Sequence, residues 1–297
     1  MSEEIQQAIR IRAKELLKLG EVGCVIGFER GRQPAGTGRH PALARTRPAF
    51  VYDPADVDRL VWDQTCSQNL VVYLHPEAAL GAAEKAHHRV GLVARPCDVR
   101  ALNVLIHEGQ VARDRVFVIG VACPGMSDGQ EIQAQCRRCR ERVPLFYDAL
   151  VGKPPKAEVV VDAYADVTEF EALSAAERLA FWTGQFDRCI RCYACRQACP
   201  GCYCSECLAE QVDPAWLTIA HTVPQKAFFH VMRAYHLAGR CAECHACESA
   251  CPMHLPLSLL NRMIAREVKA LFGTVAGTDQ QARPPLATFR RDEEWPI

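Results

Sequence analysis

The chemistry in this sequence is concentrated in its cysteines. Residues 189–200 read Cys189-Ile190-Arg191-Cys192-Tyr193-Ala194-Cys195-Arg196-Gln197-Ala198-Cys199-Pro200, and residues 241–252 repeat the pattern with Cys241, Cys244, Cys247, Cys251 and Pro252. Each run is C-x2-C-x2-C-x3-C-P, the spacing that holds cubane iron–sulfur clusters. Three thiolates at three-residue steps curl around a four-iron cube, while the fourth leaves at a proline and is aimed at another cube.

On that reading Cys189, Cys192, Cys195 and Cys251 hold one 4Fe-4S cluster, and Cys241, Cys244, Cys247 and Cys199 hold a second. Structural zinc and disulfides are the bland alternatives. Zinc usually takes two cysteine pairs divided by a spacer, which a dense triplet-plus-one repeated twice does not offer. His245 lies inside the second run; it reads either as an exposed spacer or as a residue that tunes the neighbouring cluster through charge. Cys202, Cys204 and Cys207 follow the first run closely and read as packing around the first cube, as a hydrogen-bonded thiol cluster, or as a small extra metal site. Cys24 and Cys66 read as structural.

Seventeen cysteines in 297 residues, beside a start (MSEEIQQAIRIRAKELLKLG) that is charged and lacks a signal-peptide core, predict reduced thiols, a cytoplasmic location and an anaerobic setting. Lys plus Arg (35) equals Asp plus Glu (35), so net charge gives no pointer to nucleic acid or an anionic membrane. A hydrophobic fraction of 49% without a run of about eighteen apolar residues predicts a globular core and no transmembrane segment.

The elements that must position these cysteines follow from periodicity. Residues 3–19 read as an amphipathic helix closed by Gly20, Val22 to Phe28 as a buried strand, and Gly31 to Pro48 as a basic loop suited to a phosphate, a nucleotide or an acidic surface, or simply to solvent. Asp53 to Asp63 has a helical pattern, Leu70 to Leu74 reads as a strand, Gly81 to Arg89 as a helix, and Val90 to Ala94 as a strand. Asp98 is placed to cap a helix over Val99 to His107, ahead of a further strand, Val116 to Ala122. Strands alternating with helices, apolar on both faces, predict an α/β domain over residues 1–165 with a mostly parallel sheet. Cys97 and Cys123 then fall just past strand carboxyl ends, where such sheets place ligands, and Cys136 with Cys139 forms a C-x2-C pair on a nearby polar loop.

Past a strand-like Glu158 to Asp162, Ser174 with Glu177 forms a capping box that starts a helix delivering Cys189. Thr222 with Gln225 looks like another, opening a helix with apolar Phe228, Val231, Met232 and Tyr235. Leu257 to Phe272 is helical as well. Helices flanking both runs predict an α-helical ferredoxin domain over residues 166–275, followed by an extended C-terminal arm, 276–297.

These motifs resemble known proteins. The C-x2-C-x2-C-x3-C-P-x-C-Y-C stretch from Cys189, with its echo at Cys241, is similar to the dicluster domains found in anaerobic sulfite reductases and in sulfhydrogenase beta subunits. Arg95-Pro96-Cys97-Asp98 resembles the same family's R-P-C-D stretch and the P-C motif of beta subunits from deazaflavin-dependent hydrogenases and formate dehydrogenases. The resemblance implies that Cys97, Cys123, Cys136 and Cys139 hold a third 4Fe-4S cluster. The Cys123-to-Cys136 gap is short for that family, and FAD is the less favoured cofactor because the chain is short beside flavin-carrying members.

The function implied is an electron-transfer subunit without its own catalytic residues. It relays electrons within a multi-subunit oxidoreductase whose partner subunits are flavin-, hydrogenase-, formate dehydrogenase-, heterodisulfide-reductase- or sulfite-reductase-like. The alternative is a flavin-containing oxidoreductase that itself oxidises a nicotinamide or deazaflavin coenzyme. A zinc-stabilised interaction module is a third, weaker reading.

Overall fold

The computed structural model describes residues 2–31, 46–75, 89–127, 131–156, 162–282 and 284–285. All of the helix expected over 81–89 except Arg89, which opens a strand, most of the basic loop and nearly all of the strand expected at 158–162 lie outside these residues.

Helix α1 (Ser2–Lys18) buries Ile5, Ile9, Ala13 and Leu16, one stripe at helical spacing. Acidic Glu3 and Glu4 open it and Lys18 lies in its last turn, matching the helix dipole. Gly20, at φ +67°, takes the left-handed position that ends it. Strands β1 (Val22–Arg30), β2 (Thr46–Val51), β3 (Arg89–Ala94), β4 (Val116–Val121) and β5 (Ala149–Val151) form one sheet in the order β2-β1-β3-β4-β5. The pair β1–β2 is antiparallel and the other pairs are parallel, so the sheet is mixed but mostly parallel. Every residue of β4 is buried, as a strand covered on both faces requires.

Sequence patterning missed β2 and β5, and it misassigned Leu70 to Leu74. That segment is a 3₁₀ turn, opened by the Asn69 side chain, which accepts from the Val71 amide at 3.1 Å. Its buried residues, Leu70, Val71 and Leu74, follow helical rather than alternating spacing. Asp53 to Asp63 narrows to a 3₁₀ segment, Pro54–Arg59.

Helix α2 (Pro96–His107) starts three residues before the expected point. Asp98 therefore sits inside the first turn and reaches back, accepting from the Arg95 amide at 2.8 Å and from the Arg95 guanidinium at 2.8 and 2.7 Å. Both side chains are essentially buried, which makes this pair a pin between strand and helix. The remaining helices are short α3 (Ala134–Arg137), α4 (Ala165–Glu171), α5 (Ala175–Asp187), short α6 (Ala194–Gln197), α7 (Val223–His236), short α8 (Ala246–Ser249) and α9 (Leu257–Phe272). Among the described residues after Asp162 there is no strand.

The Ser174–Glu177 capping box forms as expected: the Ser174 amide donates to Glu177 Oε2 at 2.8 Å, and Ser174 Oγ accepts from the Glu177 amide at 3.3 Å. The Thr222–Gln225 box does not, because Gln225 Oε1 accepts from the Thr218 amide instead. Residues 276–280 lie along α2, where Arg100 and Asn103 donate to the Ala276, Gly277 and Asp279 carbonyls. Gly277, at φ +73°, packs against the Arg100 carbonyl so closely that a Cβ there would stand 2.1 Å from the oxygen. No helix among the described residues is long and apolar enough to cross a membrane.

Candidate metal centres

The two cysteine runs share one backbone. Arg191 and Tyr193 in the first, and Glu243 and His245 in the second, occupy equivalent positions with φ of 52° and 58° in both runs. None is glycine, so each costs on the order of 1–2 kcal/mol that the surroundings must offset. The left-handed turns make sulfur accept from the amide two residues on, as in Arg191 N to Cys189 Sγ at 3.4 Å. Cys241 meets the Glu243 amide and Cys244 the Ala246 amide in the same way, and Cys199 meets the Gly201 amide without a left-handed residue. Each run then enters a four-residue helix, α6 or α8, and these two helices pack together.

The neighbourhoods of the thiols cross between the runs. Cys189 lies in the field of Cys192 and Cys251, and Cys195 in that of Cys247, Cys251 and Cys189. Cys199, the last of the first run, is a close electrostatic neighbour of Cys241, Cys244 and Cys247. The structure therefore brings Cys251 to the first trio and Cys199 to the second, and the two sets abut at Cys195 and Cys247. Among the described residues no three His, Cys, Asp or Glu side chains converge as they would on a single ion. A cube, by contrast, spreads its ligands around an object rather than onto a point.

At the carboxyl edge of the sheet, β3 and β4 are adjacent, with Ala94 opposite Gly120, so the first turn of α2 after β3 and the loop after β4 carry Cys97 and Cys123 side by side. Helix α3 carries Cys136 and leads to Cys139. All four line one cavity of about 300 Å³, together with Cys244. The Met126 amide donates to Cys136 Sγ at 3.2 Å, and Cys97 lies in the fields of Cys123 and Cys244. The third set thus touches the second.

Burial pushes the thiols up: Cys123 to about 11, Cys195 and Cys244 to about 12, and Cys97 and Cys241 well above their ordinary value. Empty, they are protonated thiols; a bound metal must displace those protons. Cations are stationed to favour that. Arg95 lowers Cys97 and Cys123, and Lys226, whose Nζ donates to the Asp187 carbonyl at 2.8 Å, does so for Cys189. Arg233, 7% exposed, lies in the field of Cys247, Cys199, Cys202 and Cys195, and its Nε has no hydrogen-bond partner among the described residues. A buried guanidinium among cysteines with an unmatched N–H fits an anionic cluster and would be costly among neutral thiols. Asn261 Nδ2 points at Cys247 Sγ from 3.7 Å, and His230 Nε2 stands 3.2 Å from Cys189 Sγ. The thiol donor set and the buried cations around it fit an iron–sulfur group.

Sequence reasoning expected the helix α7 but missed Lys226, His230 and Arg233 on its buried face. Phe228, Val231 and Tyr235 are exposed, whereas Lys226, Phe229, His230 and Arg233 are buried. The signal was present in the polar residues, which recur at helical spacing from Lys226 through His230 to Arg233. His245 is not an exposed spacer: it is 6% exposed, and burial, aided by Arg138 and Arg262, holds it down at about 3, so it is uncharged. Cys202 donates to Cys199, which lowers the Cys199 thiol; Cys204 is exposed. Cys24 and Cys66 are core residues, fully buried.

No family model matches this chain. It is 32% identical over 112 residues, 37% of this chain and 28% of the relative, to the F420-dependent formate dehydrogenase subunit beta of Methanocaldococcus jannaschii. It is 35% identical, over an alignment of 296 residues covering 67% of this chain and 75% of the relative, to the F420-dependent formate dehydrogenase 1 subunit beta of Methanococcus maripaludis.

Proposed function

The chain belongs to the family of F420-dependent formate dehydrogenase beta subunits, and from that premise we propose that it relays electrons through three 4Fe-4S clusters inside such a complex. The ligand sets are Cys97, Cys123, Cys136 and Cys139; then Cys241, Cys244, Cys247 and Cys199; then Cys189, Cys192, Cys195 and Cys251. When bound, each cluster supplies one-electron transfer at a potential set by charge, hydrogen bonds and burial.

The observation that carries this reading is the contiguity of the three sulfur sets. Cys97 neighbours Cys244, and Cys195 neighbours Cys247, so the set containing Cys241 is the middle station. The row runs from the end of the sheet to Cys192, an exposed ligand at the far end. Arg95, Arg233 and Lys226 offset the negative charge along it. The partners proposed are a formate-oxidising protein at one end of the row and a deazaflavin-reducing site at the other.

Anaerobic purification followed by iron, sulfide and flavin analysis and low-temperature spectroscopy of the reduced protein tests this. About twelve irons support three clusters, and about eight remove the set at the sheet edge. One observation favours a second, flavin-bearing reading. A cavity of about 720 Å³ lies between the sheet domain and the first run, lined by Tyr73, His75, Tyr203, Gln68 and Asn69 among others. Aromatic walls with amide edges suit a heteroaromatic ring. Stoichiometric flavin in the same preparation would establish that reading.

A further inference from the structure

His230 is 3% exposed on the inward face of α7. Its ring is clamped: it stacks on Phe186 with centroids 5.3 Å apart and planes 8° apart, and meets Phe229 edge-on at 5.0 Å. Phe186 stacks in turn on Trp182, so α5 and α7 together fix where the ring points. It points at a sulfur, with Nε2 3.2 Å from Cys189 Sγ, while Nδ1 has no hydrogen-bond partner among the described residues.

The direction of that bond follows from the ligand state of the cysteine. A thiolate bound to iron has no proton and can only accept. A ring nitrogen 3.2 Å away must therefore be the donor, since two facing lone pairs would repel. Loading fixes the Nε2–H tautomer and leaves Nδ1 as the bare nitrogen, in agreement with its lack of a partner.

We infer that His230 is a positioning residue that raises the potential of the cluster held by Cys189, Cys192, Cys195 and Cys251, by donating Nε2–H to Cys189. This rests on the reading above that those cysteines are cluster ligands. Reduction adds negative charge to the cluster and its sulfurs, so a donor aimed at a ligand sulfur stabilises the reduced form more than the oxidised one. In a dry site the preference is stronger than in water. The opposite set has a weaker counterpart in Asn261, 3.7 Å from Cys247.

The test is a potentiometric titration of the anaerobic full chain, followed by low-temperature electron paramagnetic resonance. His230→Phe keeps the stack and deletes the donor. One component should shift so that its reduced-to-oxidised ratio at fixed potential falls about tenfold, equivalent to ~59 mV for one electron, while the others stay put. Asn261→Leu should move a different component, and His230→Gln, which keeps an N–H, should restore most of the first shift. Loss of the cluster from His230→Phe but not from His230→Gln also assigns the donor; loss from both makes His230 a packing residue and overturns the inference. Full clusters with an unmoved potential, or with all components shifted equally, overturn it as well. A wild-type chain without iron and sulfide defeats the cluster reading itself, and so is distinguishable from the failure of His230 alone.

Discussion

The two cysteine runs have the same backbone and different surroundings. Both carry left-handed residues at equivalent positions and both close into a four-residue helix. In the first, however, Cys192 is exposed, and Arg191 donates outward to the Thr218 and Ala220 carbonyls of a surface loop. In the second, Glu243 occupies the equivalent site, paired with Arg262 and lying 3.7 Å from Arg100, and no cysteine of the run is exposed. The spacing dictates how a run folds. What packs against it decides whether its cysteines are exposed or buried.

The comparison breaks most completely if metal is not what holds both runs in shape. Iron chelation under reducing conditions is expected to abolish amide protection across residues 189–257, since strained turns and buried thiols lose their organiser, while β1, β3 and β4 stay protected. Hydrogen exchange reads this directly, and equal loss in the sheet would refute it. Next in size is the crossing. Cys251→Ser should remove the cluster shared with the first run, and Cys199→Ser the one shared with the second, each at a cost of about four irons. Signals lost in the reverse order would show that each run keeps its own fourth ligand.

A smaller effect separates how the runs are seated. Asp98→Ala strands the buried Arg95 guanidinium beside Cys97 and should destabilise the sheet domain by about 3–5 kcal/mol in denaturant titration. It should disturb the sheet-edge site and the neighbouring second run before the first. Smallest is Asp166→Asn. Burial by itself raises the Asp166 carboxyl, but hydrogen bonds and charge from Arg262, with Arg138, bring it below its ordinary value. Its stabilisation is therefore complete above about pH 4, the unfolded value, and is lost as pH falls through the depressed folded value. The variant should be less stable than wild type by about 1 kcal/mol at neutral pH, with the gap closing in acid. A pH-independent gap would show that this ion pair is not what holds Arg262, and through it Glu243 of the second run.

Much of this molecule was legible in its sequence wherever the signal was local. Strands β1, β3 and β4 are apolar runs bounded by turns, Ser174 and Glu177 announce α5, and Leu257 to Phe272 is a helix between the expected ends. Leu70 to Leu74 was not legible, because five apolar residues suit a strand or a tight turn equally and only the Asn69 bond decides. The short β5 is too brief to carry a periodicity. Helix α7 was legible as a helix but its inward face was not, because apolar Phe228, Val231 and Tyr235 face outward while Lys226, His230 and Arg233 are buried near cysteines. Hydrophobic patterning assumes an oily interior, and here the buried face of the helix lies among cysteines and carries charge.

By itself, the sequence determined that two cysteine runs share one local fold, because ligand spacing is a covalent property of a short segment. It also placed Cys97 and Cys123 at strand ends, since strand boundaries are set locally. Only the tertiary structure decided that the third set of cysteines lies against Cys244, and that His230 and Arg233 point inward. Those relations join residues tens of positions apart through packing of α7, α9 and the sheet edge, and no periodicity within one segment encodes a contact with another.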